Sequence, residues 1–516
     1  MKRLLFLLLF ALPFTLLGEE VPRPAVDTFR PIPPSWPSER PEGVTGSYRK
    51  LTVSPQLLPD PMLRYRLNIF ATEKETGNAY PLHLAAQKEF NSRLEQAMRG
   101  LYPSDEYLNL EPEKRNDWRE LERLRFKRFP LYFHWSRESY SEITAEDEAR
   151  LYRSLERVYS LLEKASKRTH FDWSDEYQYA GIATLLEPIQ EARAISRYLA
   201  SKANWEIRNG DYDSALRTIR VGLAQADHIL ESQPTSFLVG MLVGIAIKGA
   251  MYEQLFLLSA QPDAPNLYPA LMQIRIDERV WINAIQSETH WLFSQYHADA
   301  FWASLDSLSP EQAKTLLDDL FALVVGAGDV VAANEEAASL FMTMMNLVSY
   351  VPARNRLLQK GFSEQEIEAR TTYQIVAPFV FEELKRTYDL MLVDASMPAG
   401  ESRTAINFEE SVEFGRSNYA ADYLIALLAP ATNAARNAFN RQQQTLDLLR
   451  IVHAVRYYAA VHDGKLPTSL DEITELAVPK ICPVTATPYQ YRVEGNTVII
   501  DHMEASSRAR LEFRVE

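Results

Sequence analysis

Asp172, Asp175 and Glu176 cluster around Trp173 and Tyr177, with Tyr179 close behind. Paired carboxylates can exchange protons with a substrate, and acids beside aromatic rings suit a sugar or a peptide. The same run also reads as the start of a helix, where acids favour the positive end of the dipole and Trp173 packs inward. That plainer reading is preferred. His290 and His297 stand seven residues apart on one helical stretch, so they share a face two turns apart. One metal ion would then need a third ligand from far away. Cys482 is the single cysteine, beside Pro483 with no base near it in sequence. It reads as a packed or partly exposed thiol rather than a nucleophile, and no intrachain disulfide can form. Ser47-Tyr48-Arg49-Lys50 matches S-x-x-K, but no K-T-G or S-D-N follows. Val324-Val325-Gly326-Ala327-Gly328 opens like a dinucleotide fingerprint, yet Val331 stands where the third glycine belongs and the surroundings are helical. No G-x-x-x-x-G-K-[ST], H-E-x-x-H or G-x-S-x-G occurs. The sequence assigns no catalytic, cofactor-binding or metal-ligating residue and implies no cofactor.

The elements that would hold such groups are mostly helices. In Thr184–Asn209, Leu185, Ile189, Ala192, Leu199, Ala203 and Ile207 fall on one face. Asn209-Gly210 ends that helix and Asp211 can cap the next, which carries Leu216, Ile219, Leu223, Ala226 and Ile229. Gln233-Pro234 stops it. Two helices joined by so short a turn lie antiparallel and share their apolar faces. Phe237–Ile247 is apolar all round, with Gly240 and Gly244 one turn apart, until Lys248 interrupts. It reads as a buried central helix rather than a membrane span. Residues 261–440 form a second helical region with expected breaks near Pro262, Ser307–Pro310, Pro352, Pro378 and Met397–Ser402, closed by Leu427–Pro430.

The last part, 441–516, changes character. A helix over Arg441–His462 carries Leu448, Val452, Val455 and Tyr458 and ends at Gly464 and Pro467. Ser469 and Glu472 fit a capping box. Tyr489, Tyr491 and Val493 alternate, Gly495-Asn496 suits a two-residue turn, and Val498 and Ile500 alternate again. Ala509, Leu511, Phe513 and Val515 supply a third strand. A three-stranded antiparallel sheet with one apolar face needs a cover, which the helix provides. The expected fold is mainly α, a helical-hairpin body with this small α+β module at its end.

Met1-Lys2-Arg3 precedes an apolar run from Leu4 to Gly18, which reads as a secretory signal over 1–18. Cleavage is the expected fate, with membrane anchoring where Met1–Gly18 is kept. Residues 19–62 hold ten prolines and read as an extended tether. Residues 63–260 follow as the helical domain. The net charge is −14, and −16 without Lys2 and Arg3. An acidic balance argues against nucleic acid and anionic membrane surfaces.

The helix of 441–462, Gly464-Lys465-Leu466-Pro467, Ser469-Leu470, and Pro483 to Tyr491 with its hairpin resemble the globular head of type II secretion pseudopilins. Gly210-Asp211-Tyr212-Asp213-Ser214-Ala215-Leu216 resembles the turn of a tetratricopeptide repeat, without a clear second copy at that period. Phe171-Asp172-Trp173, Gly181 to Pro188, Ala192-Arg193 and Phe237 to Ala246 resemble uncharacterised secreted bacterial proteins of the planctomycete and verrucomicrobial kind. These resemblances imply an exported, periplasmic or secreted assembly or binding role beside another envelope or secretion-associated protein. Pseudopilin heads often hold calcium in a late acidic loop, and Asp501-His502-Met503-Glu504 is too thin a match to imply it here. The expected function is a non-enzymatic scaffold; the alternative is an envelope hydrolase acting on a glycan or peptide through carboxylates of the helical body.

Overall fold

Gly210 holds φ at +74°, a backbone region that glycine enters without a Cβ penalty. The Asp211 carboxylate accepts the Ser214 N–H at 3.0 Å. One helix therefore ends at Arg208 and the next begins at Tyr212, giving the antiparallel hairpin that the sequence predicts. This computed structural model describes residues 40–101, 145–173, 187–231, 238–274, 277, 279–292, 303–326, 335–395, 420–504 and 507–516. Met1–Gly18, Asp175 to Tyr179, Leu185, Gln233-Pro234, His297, Gly328 and Met397–Ser402 lie outside these residues.

In chain order the elements are β1 (Tyr48–Val53), β2 (Glu75–Asn78), α1 (Tyr80–Leu101), α2 (Ala145–Ser154), α3 (Glu156–Ser166), β3 (Arg168–His170), α4 (Glu187–Arg208), α5 (Tyr212–Leu230) and α6 (Leu238–Ser259). Then come α7 (Tyr268–Leu271), α8 (Arg279–Leu292), α9 (Pro310–Gly326), α10 (Glu335–Gln359), α11 (Glu364–Glu368), α12 (Thr372–Ala395), α13 (Ala420–Val461), β4 (Gln490–Glu494), β5 (Thr497–Glu504) and β6 (Ser507–Val515). The architecture is mainly α with a small sheet at the C-terminal end.

The hairpin face is as expected: Ala192, Leu199, Ala203 and Ile207 of α4 and Leu216, Ile219, Leu223, Ala226 and Ile229 of α5 are all buried. Between and against them runs α6. Among the described residues it is long and apolar enough to cross a membrane, but 67% of its most apolar window is buried inside the protein. A Cβ on Gly244 would lie 2.6 Å from Leu230 Cγ and 3.2 Å from the Ala226 carbonyl oxygen, so glycine lets α6 approach α5. A second core gathers around α8, α9, α10 and α12, with Ala284, Leu317, Leu357 and Val380 inside it. Pro352 and Pro378 do not break the chain; they sit within α10 and α12. A proline inside a helix forfeits one hydrogen bond and crowds the preceding turn, and here the buried Ala353, Leu357, Ala377 and Phe379 hold the two helices together across it.

The C-terminal sheet has four strands, not three, in the order β1-β6-β5-β4. The added strand comes from the segment expected to be an extended tether. No proline falls between Pro41 and Pro55, and within that gap Tyr48, Leu51 and Val53 are buried while Lys50 and Thr52 are exposed. β1 pairs in parallel with β6 from Tyr48↔Arg510 to Val53↔Val515. The hairpin turns at Gly495-Asn496, between the paired Glu494 and Thr497, as expected. Gly464 has φ +80°, also as expected. The capping box expected from Ser469 and Glu472 does not form: Ser469 makes no side-chain cap, and the Glu472 carboxylate instead accepts from the Thr468 N–H at 2.7 Å and from the Thr468 hydroxyl.

The expected helix Arg441–His462 is the second half of α13, which spans 42 residues and runs through Pro430. A boundary at 440/441 therefore falls inside one helix. Ala435 of α13 belongs to the second core, whereas Leu446, Leu449, Val452 and Val455 share one core with α4, α5, α6 and the sheet.

Candidate functional site

Among the described residues, those singled out in the sequence for their chemistry form no common site beyond the contact of Ser47 with Glu504. Trp173 is 3% exposed and packs with Tyr80, Ala192 and Val243. The Asp172 backbone is clamped by Asn78, whose Oδ1 accepts the Asp172 N–H at 2.9 Å and whose Nδ2 donates to the Asp172 carbonyl at 2.7 Å. Asp175, Glu176, Tyr177 and Tyr179 lie outside the described residues, as does His297, seven residues beyond His290 in α8. Val324 to Gly326 form the end of α9, so they offer no strand-to-helix turn for a dinucleotide. Ser47 is tied by its N–H and hydroxyl to Glu504. Burial alone would raise the Glu504 carboxyl, but His502, Ser47 and Arg49 pull it down to about 2. Cys482 is buried, and its Sγ accepts from Gln444 Nε2 at 2.9 Å.

Three polar clusters emerge that the sequence did not announce. In the first, Ser259 Oγ stands 2.9 Å from His453 Nε2, the separation of a nucleophile from its base. The proton placement argues against that role. His453 Nδ1 accepts the Leu267 N–H at 3.1 Å and faces Arg456 Nη1 at 3.3 Å. Nδ1 is therefore bare, Nε2 carries the proton and donates to Ser259, and Ser259 donates onward to the Leu255 carbonyl at 2.6 Å. A general base needs its lone pair on the serine. Burial, and then Arg456, hold the His453 pKa well below its ordinary value, which keeps the ring neutral. Arg456 is fully buried and its guanidinium donates to the Ser54, Ala264 and Pro265 carbonyls. Burial lowers its pKa to about 10, still charged near neutral pH. The cluster joins three chain segments to α13.

In the second cluster His83 Nε2 meets His228 Nδ1 at 3.3 Å, and His228 Nε2 meets the Arg168 carbonyl at 3.3 Å. A carbonyl only accepts, so His228 carries its proton on Nε2 and His83 donates to His228 Nδ1. Phe171 stacks on the His228 ring, with centroids 5.9 Å apart. Burial, with His228 second, pushes His83 down to about 3, and burial pushes His228 down to about 4.

The third cluster lines a cleft of about 180 Å³ where α5, α6, α8 and α13 meet. Its polar groups are Asp227, Glu231, Lys248, Asp277 and Gln442; Leu230, Ile245, Val280 and Phe439 form its apolar walls. Lys248, read in sequence only as the end of an apolar run, is buried and salt-bridged to Asp227 at 2.6 Å. Burial works against its charge, but Asp227, Tyr252 and Glu231 outweigh it and hold its pKa above the ordinary lysine value. Loss of solvent, then the Asp227 carboxylate, raise Glu231. A lone lysine in an apolar helix was the one available signal, since a buried ammonium demands a carboxylate. Gln442 gave none. Among the described residues no group of three His, Cys, Asp or Glu is placed to hold a metal ion.

Comparison of the chain with protein-family models, curated proteins and solved structures returns no match.

Proposed function

We propose that this chain is a non-enzymatic binding scaffold of the bacterial envelope, exported by Met1–Gly18 and engaging another envelope or secretion-associated protein. The observation that carries the non-enzymatic half is the proton order of Ser259–His453, in which the best-placed nucleophile and base of the described residues are wired as structure. Cys482 is likewise occupied by Gln444. The export half rests on the short apolar run behind Lys2-Arg3. One observation favours the alternative, hydrolysis of an envelope glycan or peptide: Glu231 lines the cleft while keeping part of its side chain exposed, and partial loss of solvent and then Asp227 raise its carboxyl, as a general acid requires.

Incubating the purified protein with isolated peptidoglycan and envelope membranes separates the two. The scaffold reading expects retention on one of these fractions, with the soluble glycan and peptide profile unchanged. Release of fragments that stops in Glu231→Gln would replace it with the hydrolase.

A further inference from the structure

We propose that two copies of this chain pair through the outer face of α10, antiparallel about a two-fold axis at Leu347. For a surface helix α10 is inverted. It buries Asn346 and Ser349, at 8% and 0% exposed, and turns Leu347 and Val351 outward, at 66% and 63% exposed. Val348 flanks them at 39%. A helix that packs only on its own core carries its large apolar side chains on the inner face, so this outer stripe calls for a second surface. The neighbouring α12 extends it. Short α11 joins the two helices, so they run antiparallel, and the Arg356 guanidinium of α10 pairs with Glu382 of α12. The same step back along α10 to Leu347 and onward along α12 reaches Met391, close to Val393, which is 57% exposed.

The geometry of the stripe selects a second copy as its occupant. Exposed Thr343, Leu347 and Val351 stand one helical turn apart along a single ridge, and Leu347 lies at the midpoint of α10. Turned about a two-fold axis at Leu347, that ridge matches itself: Leu347 meets its own copy, and Val351 meets the methyl of the partner's Thr343. Charge does not oppose the pairing. Along these helices Arg354 is paired with Glu364, Lys385 with Asp389 and Arg386 with Glu383, which leaves neutralised ion pairs beyond an apolar centre, as at the rim of an interface. At about 1.5 Å per residue and about 10 Å across, the 25 residues of α10 and the end of α12 from Lys385 offer roughly 500 Å² per copy. Two copies would bury roughly 1,000 Å², enough for a specific but reversible dimer of micromolar affinity. The dimer needs neither Met1–Gly18 nor an envelope partner, so it stands apart from the scaffold reading.

Sedimentation velocity of the full chain tests this. The wild type is expected to be dimeric at about 100 μM and to dissociate on dilution to about 1 μM. Leu347→Glu sets two carboxylates against each other at the axis and is expected to weaken the dimer at least about a hundredfold. Its side chain is exposed, so circular dichroism should show an unchanged melt; Val351→Glu takes its place if Leu347→Glu melts lower. Cross-linking tests the register. Mild oxidation of Leu347→Cys is expected to give a disulfide-linked dimer, because facing Cα atoms at the axis lie about 5 Å apart. Asn355→Cys, also on an exposed position, is not, because its copy lies about 24 Å away along the helices. Buried Cys482 does not compete. A wild type that stays monomeric, an equally tight dimer in a folded glutamate variant, or equal cross-linking of the two cysteine variants overturns the pairing.

Discussion

His83 and His228 show what single residues contribute to this fold and how their contribution depends on pH. Both rings are buried and neutral, with pKa values of about 3 and about 4 against 6.5 for an unconstrained histidine. The unfolded chain binds protons below about 6.5 that the folded chain refuses. Stability from this pair is therefore complete above that pH and is lost as pH falls toward about 4, by roughly 1.4 kcal/mol per pH unit for each ring. Asp227 opposes the loss at His228, whereas Lys74 and His170 add to it. Urea unfolding at pH 7 and pH 5 should show a loss of roughly 2–4 kcal/mol attributable to the pair. The His83→Gln, His228→Gln double variant should show a smaller loss over the same interval; an equal one would refute the neutral pair. Neither ring was legible as a site in the sequence. Residues 145 positions apart meet only once the chain has folded and brought His83 of α1 to His228 of α5, and a lone histidine on an apolar face announces no partner. The Ser259–His453 pair was hidden for the same reason, across 194 positions.

At the scale of elements, α6 carries two glycines that the same substitution should affect in opposite ways. In Gly244→Ala the new methyl would press on Leu230 and on the Ala226 carbonyl, an overpacking expected to cost about 1–3 kcal/mol. In Gly249→Ala the methyl meets nothing within 4 Å, and alanine favours the helix by up to about 1 kcal/mol. Thermal melting should place Gly244→Ala below the wild type and Gly249→Ala at or above it; two equal shifts would mean that α6 does not pack on α5 through Gly244. The helix faces, the turn at Asn209-Gly210 and the hairpin at Gly495-Asn496 were readable because local spacing and glycine conformation set them. Pro352 and Pro378 misled, since tertiary packing outweighs a local helix penalty. β1 was missed because its neighbours are prolines and its partner, β6, lies over 450 residues away. Parallel pairing leaves no turn in the sequence to betray it.

The whole molecule is bound together at its ends, and that decides how the C-terminal region folds. A helix and three strands look from sequence like a unit of 441–516. In the structure β6 is flanked by β1, which comes from the other end of the chain. One side of α13 faces the sheet, and the other meets α6 and the loop before α7 through Ser259–His453 and through Asn266, which donates to the His453 carbonyl. Arg450 donates to the Leu271 and Ile274 carbonyls, Arg456 to those of Ser54, Ala264 and Pro265. Removing the first 435 residues would leave those buried donors without acceptors, expose the edge of β6 and strip the apolar face of α13 that carries Leu449 and Val452. Unpaired buried donors cost about 1–3 kcal/mol each, and bare strand edges invite aggregation. The fragment 436–516 is therefore expected to aggregate, or to stay soluble without a cooperative melt. In the intact chain, amide exchange in β5 and β6 should be as slow as in α5 and α6, because one core serves both. A fragment that melts cooperatively with mixed helix and strand circular dichroism, or sheet amides that exchange long before those of α5, would show that the region folds by itself and that its junction with the body is only a surface contact.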